Sequence, residues 1–485
     1  MTLQLNVGGQ NSKPIYKQIV QYFEEMILNG DLDAGAPLPT ERDLAVQLGV
    51  NRSTITTAYA ELRASGLVYS KQGSGTRVSH NAWDLLPQRF VNWSNVRNVS
   101  FAPMLPIAKR ILEVTSNQDV INLATGRLSN DLYPQDSYKL LMQQILKNTD
   151  LTRVDEQELK KALASHFFAD QDIVAEPYEL LTTSGIQQAI LLLIHCLLSP
   201  GDSVAIECPS YTYTNKLFTS AGVKMVRLPI DKQGIKPEEI YELYNRHRIK
   251  MVITNPTYQN PTGTTLTIER RKKLLEICSD LHVPIIEIDC FSTLSYNGDQ
   301  PPSLYSLNKT KGLVIQIGNI TEALGPELDI GWLLASKNLI ERFEDAKYQM
   351  GLGASSFTEK IASELLLSGY WRDNRTDLQE NLTRRKDITL SALKQYAGNS
   401  LTFIEPEGGF YLWCKLNGMT REKDLLETLI QHGVVAVPGG IYGVDKGFIR
   451  LSFAHCEEER INEGVKRLCN AIGETKHKLY SDSID

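Results

Sequence analysis

A chain of 485 residues has the length for two or three domains. Its 42% hydrophobic and 22% charged content is ordinary for a soluble protein, and no apolar run reaches the length of a membrane span. A net charge of −6 argues against wholesale coating of nucleic acid, while leaving room for one reading head on an acidic body. The opening stretch, MTLQLNVGGQNSKP, lacks the charged start and apolar centre of a secretion signal. Seven scattered cysteines with no CxxC pair suit a reducing compartment, so the expected location is the cytoplasm.

Taken in order, Ile15, Ile19, Val20, Phe23 and Ile27 make one apolar stripe, which predicts a helix ended by Gly30-Asp31-Leu32. Gly35-Ala36-Pro37 leads into Leu38–Tyr59, which reads as two short helices with a tight turn between them. Thr40 is placed to cap the first, with Asp43 in the acceptor place of a capping box. Ala45 and Leu48 face inward, and Gly49 permits the left-handed bend that ends this helix. Asn51 caps the second, whose inward face is Ile55, Ala58, Tyr59 and Leu62. Its outward face carries Arg52, Ser53, Thr54 and Thr56, short hydroxyls beside a long cation, a surface able to donate to phosphates and base edges. A solvated helix face has the same look, so the neighbours decide. Leu67–Tyr69 and Thr76–Val78 read as two short strands joined by the turn Gln72-Gly73-Ser74-Gly75.

Helix, helix-turn-helix and β-wing resemble the GntR-type winged-helix family. The matching pieces are PIYKQI, NGDLDAGAPLPTERDLAVQLGVNRSTITTAYAELRASG and GSGTRV, which cover nearly all of residues 13–80. The resemblance implies Arg42 and Arg52 on phosphates or bases of double-stranded DNA, Thr54 and Thr56 in the groove, and the wing near Gly73 in or beside the minor groove. With Ser53 and Lys71 these form the expected DNA-contact set. The cations between Lys13 and His80 (Lys13, Lys17, Arg42, Arg52, Arg63, Lys71, Arg77) equal the acids in number. Affinity then rests on placement rather than bulk charge, and two heads per functional unit are expected.

Residues 82–106 lose periodicity and read as a linker with aromatic anchors, including Trp83, Phe90 and Trp93. From Val120 onward the pattern alternates apolar runs (Ser203–Ile206, Met225–Leu228, Met251–Thr254, Pro284–Ile288, Leu313–Ile317, Ile330–Ala335) with helices such as Gln187–Leu198, Ile268–Leu281 and Leu339–Gln349. Short β-branched runs between helices predict an α/β domain with a mostly parallel sheet. A final segment with a long charged helix and the strands Phe410–Cys414 and Phe448–Phe453 predicts a smaller α+β domain. The expected layout is a winged head over 13–81, a linker over 82–106, a large domain over 107–370 and a small C-terminal domain over 371–475.

Thr182-Thr183-Ser184-Gly185 precedes an apolar helix, and a glycine turn into a helix start offers backbone N–H groups to an anion. PGDSVAIECPSYTY, TNPTYQNPTG, PIIEIDCFSTL, GNITEALGPELDIGW and GFIRLSFAHCEEERINEGVKRL follow in order. Together they resemble the fold-type-I aminotransferases, which use pyridoxal phosphate (PLP). A GntR-type head on such a body resembles the MocR-type regulators, and the resemblance runs from about residue 13 to 472.

That family needs a lysine for the imine, an acid at the ring nitrogen, cations and N–H donors for the phosphate, and an arginine for a substrate carboxylate. In the lysine stretch, Leu324, Pro326, Gly331 and Trp332 keep the frame. The lysine, however, is Glu322, and the arginine offered to the phosphate is Asp329. The ring-nitrogen acid is Ile288 and the tyrosine after it is Phe291, unless a slip of register brings Asp289 to the ring. Tyr211 matches the aromatic over the ring, Asn260 the amide on the ring hydroxyl, Thr321 a serine, and Arg450 the carboxylate-binding arginine. Each also has a structural reading: Tyr211 packed in a core, Asn260 capping the turn before Pro261, Arg450 paired with an acid. Lys309, Lys311 and Lys337 flank the stretch without taking the imine position.

The expectation is a sequence-specific transcription regulator. Its body forms a homodimer and senses a small amine or amino-acid-like effector through Gly185, Tyr211, Asn260, Thr321, Glu322 and Arg450, without transaminase activity. No cofactor is assigned, and covalent PLP is not expected. Three alternatives stay open: an active PLP transaminase with a DNA-binding head, noncovalent PLP sensing, and a body that only dimerises.

Overall fold

The computed structural model describes residues 14–28, 32, 35–71, 75–79, 104–133, 135–148, 156–296, 298, 300–310, 312–325, 328–418, 422–444 and 447–481. The chain divides into two compact units, Met1–Val99 and Ser100–Asp485. The predicted linker falls almost wholly outside the described residues.

In the first unit, helices α1 (Ile15–Leu28), α2 (Glu41–Leu48) and α3 (Arg52–Ala64) pack beside a hairpin of β1 (Val68–Lys71) and β2 (Gly75–Val78). The Asp43 N–H donates to the Thr40 hydroxyl (3.2 Å), and that hydroxyl donates to the Asp43 carboxylate (2.7 Å). Asp43 thus takes the hydroxyl proton, where a capping box would take the backbone N–H. Gly49 sits in the left-handed region at φ 63°, and Asn51 accepts from the Ser53 N–H. Ile55, Ala58, Tyr59 and Leu62 are all fully buried against Ile19, Phe23 and Ile27. In α2 the fully buried residue is Leu44, and Leu48 is only half-buried. Residues 35–38 are more than a lead-in. Gly35 N–H donates to Val78 O, Val78 N–H to Ala36 O and Leu38 N–H to Thr76 O, which adds a third edge to the wing.

The second unit is built on an eight-stranded sheet. Its strands, with β3 (Ile121–Asn122) preceding them, are β4 (Leu180–Ser184), β5 (Ser203–Cys208), β6 (Lys224–Asp231), β7 (Gly234–Ile235), β8 (Val252–Thr254), β9 (Ile285–Asp289), β10 (Val314–Asn319) and β11 (Ile330–Leu334). The order is β4-β11-β10-β9-β8-β5-β6-β7. The run β10-β9-β8-β5-β6 is parallel, and β11 is antiparallel to both its neighbours. Apart from β6, of which only Leu228 is fully buried, the long strands are buried on both faces, which explains why they read as unalternated apolar runs. The helices Gly185–Leu197, Ile268–Asp280 and Lys337–Gln349 fall where the sequence places them, to within two residues.

The long helix Tyr370–Tyr396 leads to a four-stranded sheet of β12 (Leu401–Phe403), β13 (Tyr411–Leu416), β15 (Val437–Pro438) and β16 (Phe448–Ser452), in the order β12-β13-β16-β15. One assignment is corrected. Helix Pro106–Thr115 and β3, placed by sequence in the large domain, pack on the C-terminal elements. β3 pairs in parallel with β14 (Val434–Val435), and Ile111 and Val114 share a core with Leu426, Val435 and Tyr442. A two-residue strand has no local pattern that names so distant a partner. Among the described residues no helix is long and apolar enough to cross a membrane, and no cluster of His, Cys, Asp or Glu is arranged to hold a metal.

Candidate functional site

On the head, α3 turns Arg52, Ser53 and Thr56 outward, exposed, with Thr54 half-buried beside them; Arg42 is exposed on α2. Glu41 lies behind this face. It accepts from the Thr56 hydroxyl (2.9 Å) and stands 3.6 Å from Arg52 Nε, while Arg52 remains 70% exposed. Two of the head's other cations serve the fold: Arg63 donates to the Ser70 hydroxyl and Arg77 to the Gly35 carbonyl. Gly73 and the Lys71 side chain lie outside the described residues.

In the body, the sequence-predicted residues gather where parallel strands end, the usual place for ligands in an α/β sheet. β16 carries Arg450 between β13 and β15. Arg450 is 5% exposed, and its guanidinium donates to Asn260 Oδ1 (3.2 Å) and the Ala124 carbonyl (2.5 Å). It lies 4.2 Å from the ring centre of Tyr411 and 5.3 Å from that of Tyr442, and its Nε is buried without a partner. Among the described residues no acid pairs with it. Two electron-rich ring faces and two oxygen dipoles stand in for a counter-ion. Burial and the neighbouring Tyr211 outweigh this guanidinium at Tyr442 and push its hydroxyl up to about 12.

Asn260 sits in the loop after β8 and is buried. Its side chain serves Arg450 rather than the turn before Pro261. That turn is held by Gln259 Oε1, which accepts from Thr262 N–H and the Thr262 hydroxyl (3.0 and 2.6 Å). Tyr211 follows β5, and its N–H donates to Asn260 O. The residue is 44% exposed, which removes the core-packing reading.

A brace that the sequence reading missed lies beneath these two loops. Glu207, at the end of β5, accepts from Asn255 N–H (3.0 Å), the Thr254 hydroxyl (2.8 Å) and the Gln259 amide (2.9 Å). The Gln259 amide also donates to Pro209 O (2.7 Å), and Asn255 Oδ1 accepts from Asn260 N–H (2.9 Å). The Tyr211 and Asn260 loops are thereby tied to one carboxylate. Full burial raises Glu207 to about 7, against the three donors that lower it. The signal available in sequence was an acid inside the apolar run VAIEC.

At the other end of the site, Ile288 is half-buried against the core to which the helix Gly185–Leu197 contributes. Asp289 is not a substitute for a ring-nitrogen acid. Its carboxylate accepts from Ser292 N–H (3.1 Å) and the Ser292 hydroxyl (2.7 Å), and burial raises its pKa. Phe291 is buried edge-on to Phe410 and Tyr411, extending the aromatic wall behind Arg450. Thr321 opens a short helix after β10, and its hydroxyl is buried without a partner. The position of Glu322 lies in that helix, and its side chain lies outside the described residues. Lys337 is engaged with Glu341 (3.8 Å) and the Tyr178 ring.

Gly185 has φ +67° and starts the helix Gly185–Leu197. A Cβ there would lie 2.6 and 2.9 Å from the two carboxylate oxygens of Asp329. Gly331 permits this approach, since a Cβ on it would stand 2.5 Å from the Gly185 carbonyl carbon.

The chain matches the gntR family of bacterial regulatory proteins over residues 15–78 and the class I and II aminotransferases over 118–468. It is 32% identical to the HTH-type transcriptional regulator YdfD of Bacillus subtilis, covering 94% of this chain and 95% of that one. With YisV, another HTH-type transcriptional regulator of the same organism, it shares 31% identity over 99% of each chain. The crystal structure of a multiple substrate aminotransferase from Thermococcus profundus is similar with a TM-score of 0.73 and 28% identity, over 80% of this chain and all of that one.

Proposed function

The chain belongs to the MocR-type regulators, a gntR-type DNA-binding head on a class I and II aminotransferase body, and on that premise we propose that the body senses rather than transaminates. In this reading Arg42, Arg52, Ser53, Thr54, Thr56, Lys71 and the wing at Gly73 contact an operator. The body pairs two chains so that two heads meet two half-sites. A small carboxylate-bearing amine or amino acid then biases one arrangement of the heads.

The observation that carries the reading is Arg450, a buried guanidinium with no acid beside it among the described residues, held by Asn260 and two tyrosines. A buried cation without a counter-ion is costly, and an anionic ligand supplies one. The same site is a poor match for PLP. Tyr211, Asn260 and the helix start at Gly185 suit it, but an imine needs an amine where the chain has Glu322. Ile288 offers no proton acceptor to a ring nitrogen, and Asp329 sets a carboxylate against Gly185. The residues present do not fit a covalently held, phosphate-bearing cofactor.

The test is a titration of the full chain with amines, amino acids and dipeptides, reading operator binding and melting temperature together. At least one carboxylate-bearing amine is expected to shift both, and Arg450→Met to abolish the response. Indifference to every compound would leave a body that only dimerises. Visible imine absorbance after purification with PLP, removed by borohydride, would restore the transaminase reading.

A further inference from the structure

We propose that Glu41 is a positioning residue for base readout: it holds Arg52 by the Nε edge, so that the two terminal nitrogens face the groove and select guanine. The inference rests on the assignment of the outward face of α3 to an operator, and names which of its groups read bases.

An acid beside the leading cation of a DNA-facing helix weakens attraction to phosphates, and this head has no excess of cations to offset the loss. Glu41 is nevertheless built in. It is the first residue of α2, and the chain before it is fixed from three sides. Leu38 N–H donates to Thr76 O (2.9 Å), the buried Tyr59 hydroxyl donates to Pro39 O (2.8 Å), and Thr40 caps the helix at Asp43 N–H (3.2 Å). From that place Glu41 Oε2 accepts from the Thr56 hydroxyl at 2.9 Å and stands 3.6 Å from Arg52 Nε. The Glu41 side chain is 24% exposed and that of Arg52 70%, so the acid lies beneath the cation rather than in front of it.

Held on its Nε side, Arg52 keeps the Nη1 and Nη2 edge for DNA, and that fork matches O6 and N7 of guanine. A side chain already steered loses less rotamer freedom on docking than one that swings among phosphates. The Thr56 hydroxyl has one proton and two inward acceptors, Glu41 Oε2 and, at 3.1 Å, Arg52 O. It therefore offers DNA a lone pair and a methyl but no donor. Thr57 likewise donates inward, to Ser53 O at 2.9 Å. Base-edge donation from this turn of α3 thus falls to Arg52, whose direction is set before DNA arrives.

The experiment selects duplexes from a random library with the full-length wild type, Arg52→Ala and Glu41→Gln, and records the melting temperature of each protein. Glutamine keeps an oxygen for Thr56 and removes the charge that steers Arg52. Arg52→Ala is expected to lose the preference for guanine at one base pair of the wild-type motif. Glu41→Gln is expected to relax the preference at that same base pair by roughly 10-fold, to bind a scrambled duplex a few-fold tighter, and to melt within about 1 °C of the wild type. A Glu41→Gln variant that keeps the guanine preference, relaxes a different base pair, or loses affinity for both duplexes alike would overturn the proposal. Should Glu41→Gln melt lower, Glu41→Asp, which draws the same charge back by one carbon, decides by the same criterion. A wild type that enriches no duplex removes the operator assignment and this inference with it, an outcome distinct from an enriched motif that is indifferent to Glu41.

Discussion

On α3 the side chains that DNA would meet, Arg52, Ser53 and Thr56, stand exposed in front of a closed core of Ile55, Ala58, Tyr59 and Leu62. At the sheet edge of the body the pattern divides. Arg450, Asn260 and the aromatic wall of Tyr411, Tyr442 and Phe291 are held by mutual contacts, whereas the positions that the proposed reading matches to cofactor-holding groups carry Glu322, Ile288 and Asp329. The head keeps its fold and, under the proposed reading, its outward chemistry. The body keeps its fold and one end of its chemistry. Residues that hold the backbone together are constrained by packing. Groups that serve only a cofactor have no such second duty, so their charge can be reversed without loss of fold.

Breaking the contrast at the head has the largest expected effect. Arg52→Ala should weaken operator binding by roughly 10- to 100-fold, the worth of one good base contact, at unchanged melting temperature, as gel shift and calorimetry would show. Unaltered affinity would refute the assignment of that face. In the body, Gly331→Ala should cost about 1–3 kcal/mol, because the new methyl meets the Gly185 backbone rather than a yielding side chain. Urea denaturation reads this, and operator affinity per folded chain should be unchanged.

Glu207→Gln sharpens the contrast through pH. The carboxyl is raised to about 7 in the folded chain. Between roughly pH 4.5 and 7 the unfolded chain has already lost a proton that the folded chain still holds. Stability therefore falls as pH rises through that window, and levels off above it. The glutamine variant has no such proton. Its stability relative to wild type should rise by roughly 3 kcal/mol across the window, and a flat difference would contradict the brace. The smallest effect belongs to Thr40→Ala, which removes the cap of α2 and should cost the head about 1 kcal/mol in thermal unfolding.

The sequence carried much of this. Capping residues, the glycine bend and the three- and four-residue spacing of Ile55, Ala58, Tyr59 and Leu62 are local signals, so the helix-turn-helix was readable from one stretch. The apolar runs of the sheet were readable too, because strands buried on both faces need no alternation. The identities Glu322, Ile288 and Asp329 needed only the written frame around them.

Tertiary structure decided what depends on contacts far apart in the chain. The third edge of the wing joins residues 35–38 to β2, and β3 finds β14 across most of the body. Arg450 was known as a cation, but only its surroundings show that an amide, a carbonyl and two rings take the place of an acid. Asp329 was known as a reversed charge, and only the bare faces of Gly185 and Gly331 show where that charge rests. Periodicity and capping are properties of neighbouring residues, which a linear sequence displays directly. The partner of a buried charge is chosen by the packing of whole elements, which it does not.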